Sequence, residues 1–367
     1  MKIIYFKILL LFFIASTTAF ANKTSDPDSF KGRYTKEKKI KREFTVNDNA
    51  GLKISNRYGN LDITSWDQNY TSIQVTVKTN GNDEEKVKQR LDDIDVIFDA
   101  SSTLVSARTV IEEASGSWWK SWVGGNNNIN MEINYTIKVP VNNSVNLSND
   151  YGAIYLNRIN GNARISCDYG KLEIGELNAS DNLLKFDYTN NSTIGYMKTG
   201  KINADYSSFT VEKADYIELS ADYSKSAFGE VKSINYNCDY GNLSVDSTGK
   251  IFGKGDYLTT KIGDVSGDLN INSNYGSIKV DRLTPKAGNV TIQSDYTGIK
   301  LGYDLGYTFT FDINLEYGSL SGEDDFEIIK RRTESTEKYY NGYHGSPAAK
   351  NKVNINTEYG SVSFYRN

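Results

Sequence analysis

Seven aspartates occupy one slot of a repeated phrase, each immediately before a tyrosine: Asp150, Asp168, Asp187, Asp205, Asp222, Asp239 and Asp256. Carboxylates repeated in this way could do two kinds of chemistry. They could bridge cations such as calcium, with Asp168, Asp187, Asp205, Asp222 and Asp239 as candidate ligands, or they could supply the acid and base of a polysaccharide lyase or hydrolase. Stacked one above another at roughly 4.8 Å, neighbouring carboxylates repel by about 0.9 kcal/mol even in water. The competing account is structural: an aspartate at a turn accepts hydrogen bonds from nearby backbone amides. The glycine-rich nonapeptide of calcium-binding β-rolls is absent. Catalysis would also need two carboxyls with pKa values pushed apart and a basic partner, whereas these aspartates recur identically. No nucleophile elbow, histidine cluster or phosphate loop accompanies them. The expectation is no catalytic residue, no metal and no cofactor, with the aspartate row as the alternative cation site.

The elements that position this row follow from the tyrosines. Tyr58, Tyr151, Tyr169, Tyr188, Tyr206, Tyr223, Tyr240, Tyr257, Tyr275, Tyr296, Tyr317 and Tyr359 share the phrase, and from Tyr151 to Tyr317 consecutive members lie 17 to 21 residues apart. Small or apolar residues sit two and four positions before each tyrosine, as in Ile165 and Cys167, and apolar ones three and five after it, as in Leu172 and Ile174. That alternation predicts strand, bend, strand. One strand pair has no second layer, so successive rungs must stack to share a core. The predicted fold is all-β: a single-domain parallel β-solenoid (β-helix) of about 17–21 residues per rung, with a small N-terminal α/β cap.

Gly follows the tyrosine at 59, 152, 170, 241, 276, 318 and 360, but Thr189, Ser207, Ser224, Leu258 and Thr297 fill the same slot. A required positive φ there is therefore not expected, and glycine would instead relieve crowding. The tyrosines, Tyr151 through Tyr317 above all, are expected to form a structural ladder of offset-stacked rings, largely buried; the alternative is an exposed track for glycans. Cys167 and Cys238 share one slot four rungs apart. That places them about 19 Å from each other, too far for a disulfide.

Residues 1–21 read as a secretory signal, with Lys2, Lys7, an apolar run from Ile8 to Ile14 and a small-residue end at Ala19-Phe20-Ala21. No later apolar run reaches the roughly 18 residues of a membrane span. Residues 22–39 read as a polar lead-in, 40–140 as N-terminal strands and helical cap, and 141–367 as the repeat, interrupted by an insertion at 322–351. Val87, Leu91 and Ile94 predict the one amphipathic helix, followed by two long strands around Val96–Glu112 and Ile129–Val139. Between those strands lie Trp118, Trp119 and Trp122, either an exposed binding loop or aromatics packed onto the cap. The insertion, with Arg331, Arg332, Tyr339, Tyr340, Tyr343 and the single His344, reads as a mobile surface loop, and Tyr359 as the last rung. Removing the two signal lysines leaves 40 basic against 46 acidic residues, a balance of about −6 that disfavours nucleic acid as a partner.

The signal, Phe44-Thr45-Val46, Leu52-Lys53-Ile54, Gly59-Asn60-Leu61-Asp62-Ile63 with Trp66-Asp67, Val139-Pro140 and Asp150-Tyr151-Gly152-Ala153-Ile154 together resemble a bacterial cell-envelope family provisionally named for adhesins. The resemblance runs from about Ile40 to the end and rests on structural motifs, so no catalytic residue is carried over. It implies a β-solenoid in the envelope of a Bacteroidetes-like Gram-negative, in the periplasm or at the surface, sometimes beside stress-signalling regulators. The functional expectation is a non-enzymatic, adhesin-like binding or scaffolding module, its partner an envelope protein or a glycan. The alternatives are a carbohydrate-active β-helix enzyme and a stress-signalling partner.

Overall fold

The computed structural model describes residues 30–112 and 129–367, so the expected signal peptide and the Trp118, Trp119 and Trp122 loop lie outside the described residues. Among these residues the chain is all-β, with 27 strands and one short helix. The central strands form two parallel ladders joined at the tyrosine turns. On the side preceding the turn, one inward column aligns Ile54, Leu147, Ile165, Leu184, Ile202, Leu219, Tyr236, Gly253, Ile271, Ile292, Ile355 and Ile313. On the side following it, Leu156, Ile174, Ile194, Val211, Phe228, Val245, Ile262, Val280, Leu301 and Phe364 align in the same way. Apart from Gly253, which has no side chain to count, these residues are buried and belong to one continuous core. The period-two pattern therefore fixes which residues face inward, and the parallel register stacks like on like.

Gly253 shows how tightly the column is filled. Tyr236, one rung earlier, is buried, and its ring occupies the space in front of Gly253, where an added Cβ would lie 2.0 Å from a ring carbon.

Both ends depart from the all-parallel expectation. At the N-terminal end, strand Tyr34–Thr45 runs antiparallel to Tyr70–Gly81, which runs antiparallel to Asn130–Pro140, and the latter lies parallel to Leu61–Trp66. In the other ladder, a hairpin of Ile94–Ala100 and Leu104–Ile111 covers Gly51–Arg57. The region around Val96–Glu112, read as one long strand before the tryptophans, is thus two strands. Strand order also begins at Tyr34 rather than near Ile40. Lys36, Lys38, Lys39 and Lys41 hide that strand from a hydropathy reading, as charge often does at an exposed sheet edge. The helix spans Glu84–Asp92, capped by the Asp83 carboxylate accepting from the Lys86 N–H at 3.2 Å, with Val87 and Leu91 turned to the core.

At the C-terminal end two expectations are corrected. The tyrosine of strand Asn351–Glu358 is not the last rung: that strand lies parallel to and between Val290–Asp295 and Phe309–Glu316. The insertion is no loop but a hairpin, Glu327–Thr333 with Glu337–His344, whose second strand pairs antiparallel with Phe309–Glu316. Tyr340 and His344 are buried there; His344 packs against Tyr303, Phe309 and Phe326, and Phe326 in turn against Phe311 and Phe364. An aromatic lid closes the core where no further rung exists to bury it.

Candidate functional site

Every one of the twelve repeat tyrosines has left-handed backbone, with φ between 51° and 60°. The positive φ belongs to the tyrosine and not to the residue after it. At that following slot glycine acts through crowding: a Cβ on Gly152 would sit 1.9 Å from the Gly59 carbonyl, and one on Gly318 would sit 2.1 Å from that of Gly360. Hydroxyl residues in the same slot use the close approach. Ser224 Oγ donates to the Ala204 carbonyl at 3.0 Å and accepts from the Ser207 N–H at 2.9 Å, and Thr297 donates to the Ser273 carbonyl at 3.0 Å.

The left-handed turn keeps the ladder unbroken. Each tyrosine N–H donates to the carbonyl of the next layer: Tyr151 to Asp168 at 2.9 Å, Tyr223 to Asp239 at 3.0 Å, Tyr296 to Glu358 and Tyr359 to Glu316, both at 2.8 Å. The rings stack in the order 58, 151, 169, 188, 206, 223, 240, 257, 275, 296, 359, 317, with centroids 4.6–5.4 Å apart and planes within 10°.

The rings are not buried. Eleven of them are 46–54% exposed, with only Tyr58 more covered. Because neighbours cover their faces, what they present is a row of ring edges and phenol hydroxyls. Partial desolvation, then the neighbouring phenols, raise the pKa values of Tyr169, Tyr240 and Tyr359 above the ordinary tyrosine value. Those three phenols therefore stay protonated at physiological pH.

The aspartates form a second row beside the first. From Asp187 to Asp239 each carboxylate accepts the backbone N–H of the next aspartate: Asp205 N–H to Asp187 at 3.1 Å, Asp222 to Asp205 at 3.1 Å, Asp239 to Asp222 at 3.0 Å and Asp256 to Asp239 at 2.8 Å. Asp150 instead pairs with Arg57 at 3.1 Å. Asp168 differs: burial, then Asp187, push its carboxyl above the usual range, and its Oδ1 is buried without a partner. Among the described residues, no group of three or more His, Cys, Asp or Glu side chains is arranged to hold a metal ion. Cys167 and Cys238 are both unpaired and buried, and burial raises each thiol to about 12.

One feature of the surface escaped the sequence reading. A trough of about 400 Å³ crosses the outer face beside Tyr188, Tyr206, Tyr223 and Tyr240, lined by residues that include Asn191, Thr193, Ser208, Thr210, Lys225 and Ser244. The signal for it lies in the column four residues after the tyrosine in most rungs, where long side chains give way to small ones.

No family model matches the chain, and no curated protein matches it. Among solved structures it is similar to a protein from Clostridium sporogenes provisionally named for cell adhesion, at 12% identity and a TM-score of 0.19, covering 90% of this chain and 100% of that one. It is also similar to a provisionally named adhesin from Parabacteroides distasonis, at 12% identity and a TM-score of 0.32, covering 89% and 97%. A third structure, from the same species and provisionally named for lipid binding, gives 9% identity, a TM-score of 0.29 and coverage of 89% and 96%. At such identities and scores these likenesses define neither the fold nor the ligand of this chain. No helix among the described residues is long and apolar enough to cross a membrane.

Proposed function

We propose that this chain is an exported, non-enzymatic binding or scaffolding rod of a bacterial cell envelope. In this reading it is a parallel β-solenoid closed at both ends, and it presents its tyrosine edge to an envelope glycan or partner protein. The observation that carries the proposal is the cost of that edge. A non-glycine residue held left-handed loses about 1–2 kcal/mol, and a stacked aromatic pair returns about 0.5–1.5 kcal/mol. Twelve strained turns cost about 12–24 kcal/mol and eleven stacked pairs return about 5.5–16.5 kcal/mol, so stability alone does not favour tyrosine over glycine at these turns. A row of phenol hydroxyls that donate and accept at regular spacing suits hydroxyl-rich partners. Backbone N–H groups engage the carboxylates from Asp187 to Asp239 alike, which argues against an acid–base pair among those four.

The test is binding of the mature protein to glycan arrays and isolated envelopes, alongside two variants. Changing Tyr206, Tyr223 and Tyr240 to Phe keeps the stack and removes the hydroxyls; changing Trp118, Trp119 and Trp122 to Ala removes the other candidate surface. Loss of binding in the Phe variant supports the tyrosine edge, and loss in the Trp variant alone moves the contact to that loop. Absence of binding by all three proteins overturns the binding role.

A further inference from the structure

Building on that binding role, we propose that the trough beside the tyrosine row is a site for a short acidic oligosaccharide, its hydroxyls held along the floor and a uronic acid carboxylate held by Lys225. The floor is one register column, Thr193, Thr210, Ala227 and Ser244, aligned across four successive rungs. In the rungs on either side that column holds Glu173 and Lys261. Long side chains therefore close both ends, and the trough is four rungs long, roughly 15 Å between its outer strands at sheet spacing.

Its rim lies two residues nearer the tyrosines, where Ser208, Lys225 and Asn242 share a register. Asn191 completes that rim. The Tyr188 rung carries one residue more than its neighbour between the tyrosine and the aligned Ile194, and Asn191 takes up the excess at φ 55°, donating its N–H to Ser208 Oγ at 3.0 Å.

The chemistry of the lining selects the ligand class. Hydroxyls, amides and a single ammonium line the trough, and no carboxylate does. In a chain of net charge −4, whose acidic row runs along the same turns, the lining itself carries no negative charge, and the floor column reaches a carboxylate only at one closed end, Glu173. Among the described residues no ion pair engages the Lys225 ammonium, which is exposed. Hydroxyl and amide groups match the alternating donors and acceptors of a sugar chain, and a lone cation favours one carboxylate without accommodating a dense polyanion. Closed ends limit the occupant to an oligomer or to a short stretch of a longer chain crossing the rod.

The experiment is calorimetric titration of the full-length mature protein with hexagalacturonate and with cellohexaose, a neutral hexamer, at low and moderate salt. Wild type is expected to bind the acidic hexamer at least tenfold more tightly than the neutral one, with affinity falling as salt rises. Lys225→Gln should erase that preference, and Ala227→Glu, which places a carboxylate on the floor, should abolish binding; circular dichroism melts establish that both variants are folded. Equal affinity of wild type and both folded variants for the acidic hexamer overturns the site, as does a wild type that binds neither hexamer. If either result comes with hydroxyl-dependent envelope binding by the tyrosine row, the trough alone has failed. If envelope binding is absent as well, the binding role fails with it.

Discussion

Between Tyr151 and Tyr296 the chain lays its rungs down in sequence order, each strand parallel to the one before it. At the two ends it does otherwise. The Tyr58 rung and the Tyr359 rung each lie inside the end, covered by strands from other parts of the chain, and antiparallel partners finish both stacks. The difference teaches what a repeat can and cannot do. A rung buries its faces by meeting a copy of itself, so the repeat solves the middle completely and leaves the first and last faces open. Those faces need unlike sequence: a charged edge strand and a helix at one end, a hairpin with an aromatic lid at the other.

The contrast is sharpest under unfolding. Ile355 is fully buried between Ile292 and Ile313 in the inserted strand. Ile355→Ala should remove about 2–5 kcal/mol. Because a stacked repeat couples only to its neighbours, the loss should appear as an early, separate transition of the C-terminal layers in a urea melt. Ile234→Ala in the middle should instead lower the main transition. If the Ile355 and Ile234 variants melt as indistinguishable single transitions, the ends and the middle are one cooperative unit. A somewhat smaller effect tests the middle alone: Gly253→Ala forces a methyl into the ring of Tyr236 and should lose about 1–3 kcal/mol. Adding Tyr236→Leu should recover part of that loss, and a double variant no better than the sum of the singles would refute the contact.

The same division decides how much was legible in the sequence. Inward columns in the middle follow from alternation, because Ile165, Leu184 and Ile202 occupy one slot of one phrase. The ends follow from no phrase. Lys36 and Lys38 conceal an edge strand, and nothing local in Asn351–Glu358 says that it slips between two earlier rungs, a matter of chain order settled by long-range pairing. At the candidate site, the tyrosine slot was readable but its backbone was not. Parity with inward residues suggested buried rings, yet a left-handed residue breaks the alternation at the turn and carries the ring out to solvent. The trough is visible only once the register sets Thr210 beside Ala227.

The tyrosine row should respond differently in its middle and at its end. Tyr223 has stacked neighbours on both sides, whereas Tyr317 has only Tyr359. Replacing Tyr223 by Gly relieves about 1–2 kcal/mol of strain and forfeits two stacks of about 0.5–1.5 kcal/mol each, so the change runs from about 1 kcal/mol gained to about 2 kcal/mol lost. Tyr317→Gly forfeits only one stack and should be neutral or stabilising. Thermal melts of the two variants check the order, and a Tyr317 variant less stable than the Tyr223 variant would show that the end ring has a role beyond stacking.

The smallest expected effect separates two positions within the middle. Asp187, Asp205, Asp222 and Asp239 each accept the next aspartate's backbone N–H, whereas Asp168 keeps one buried oxygen without a partner, and burial and the Asp187 charge raise its carboxyl in spite of a backbone hydrogen bond from Asp187. A folded-state value above the unfolded one means that the native structure favours the protonated acid. The contribution of Asp168 to stability is thus fully present below its unfolded value and is lost as pH rises through the folded one. At neutral pH the charged Asp168 is a burden that Asp168→Asn removes. The variant should melt slightly above wild type at pH 7, and the difference should vanish near pH 3, where the acid is already neutral. Asp205→Asn trades a charge-assisted acceptor for a neutral one and should gain nothing at pH 7. Equal shifts in the two variants would mean that the whole row repels as a unit, with the backbone N–H bonds making no distinction among its members.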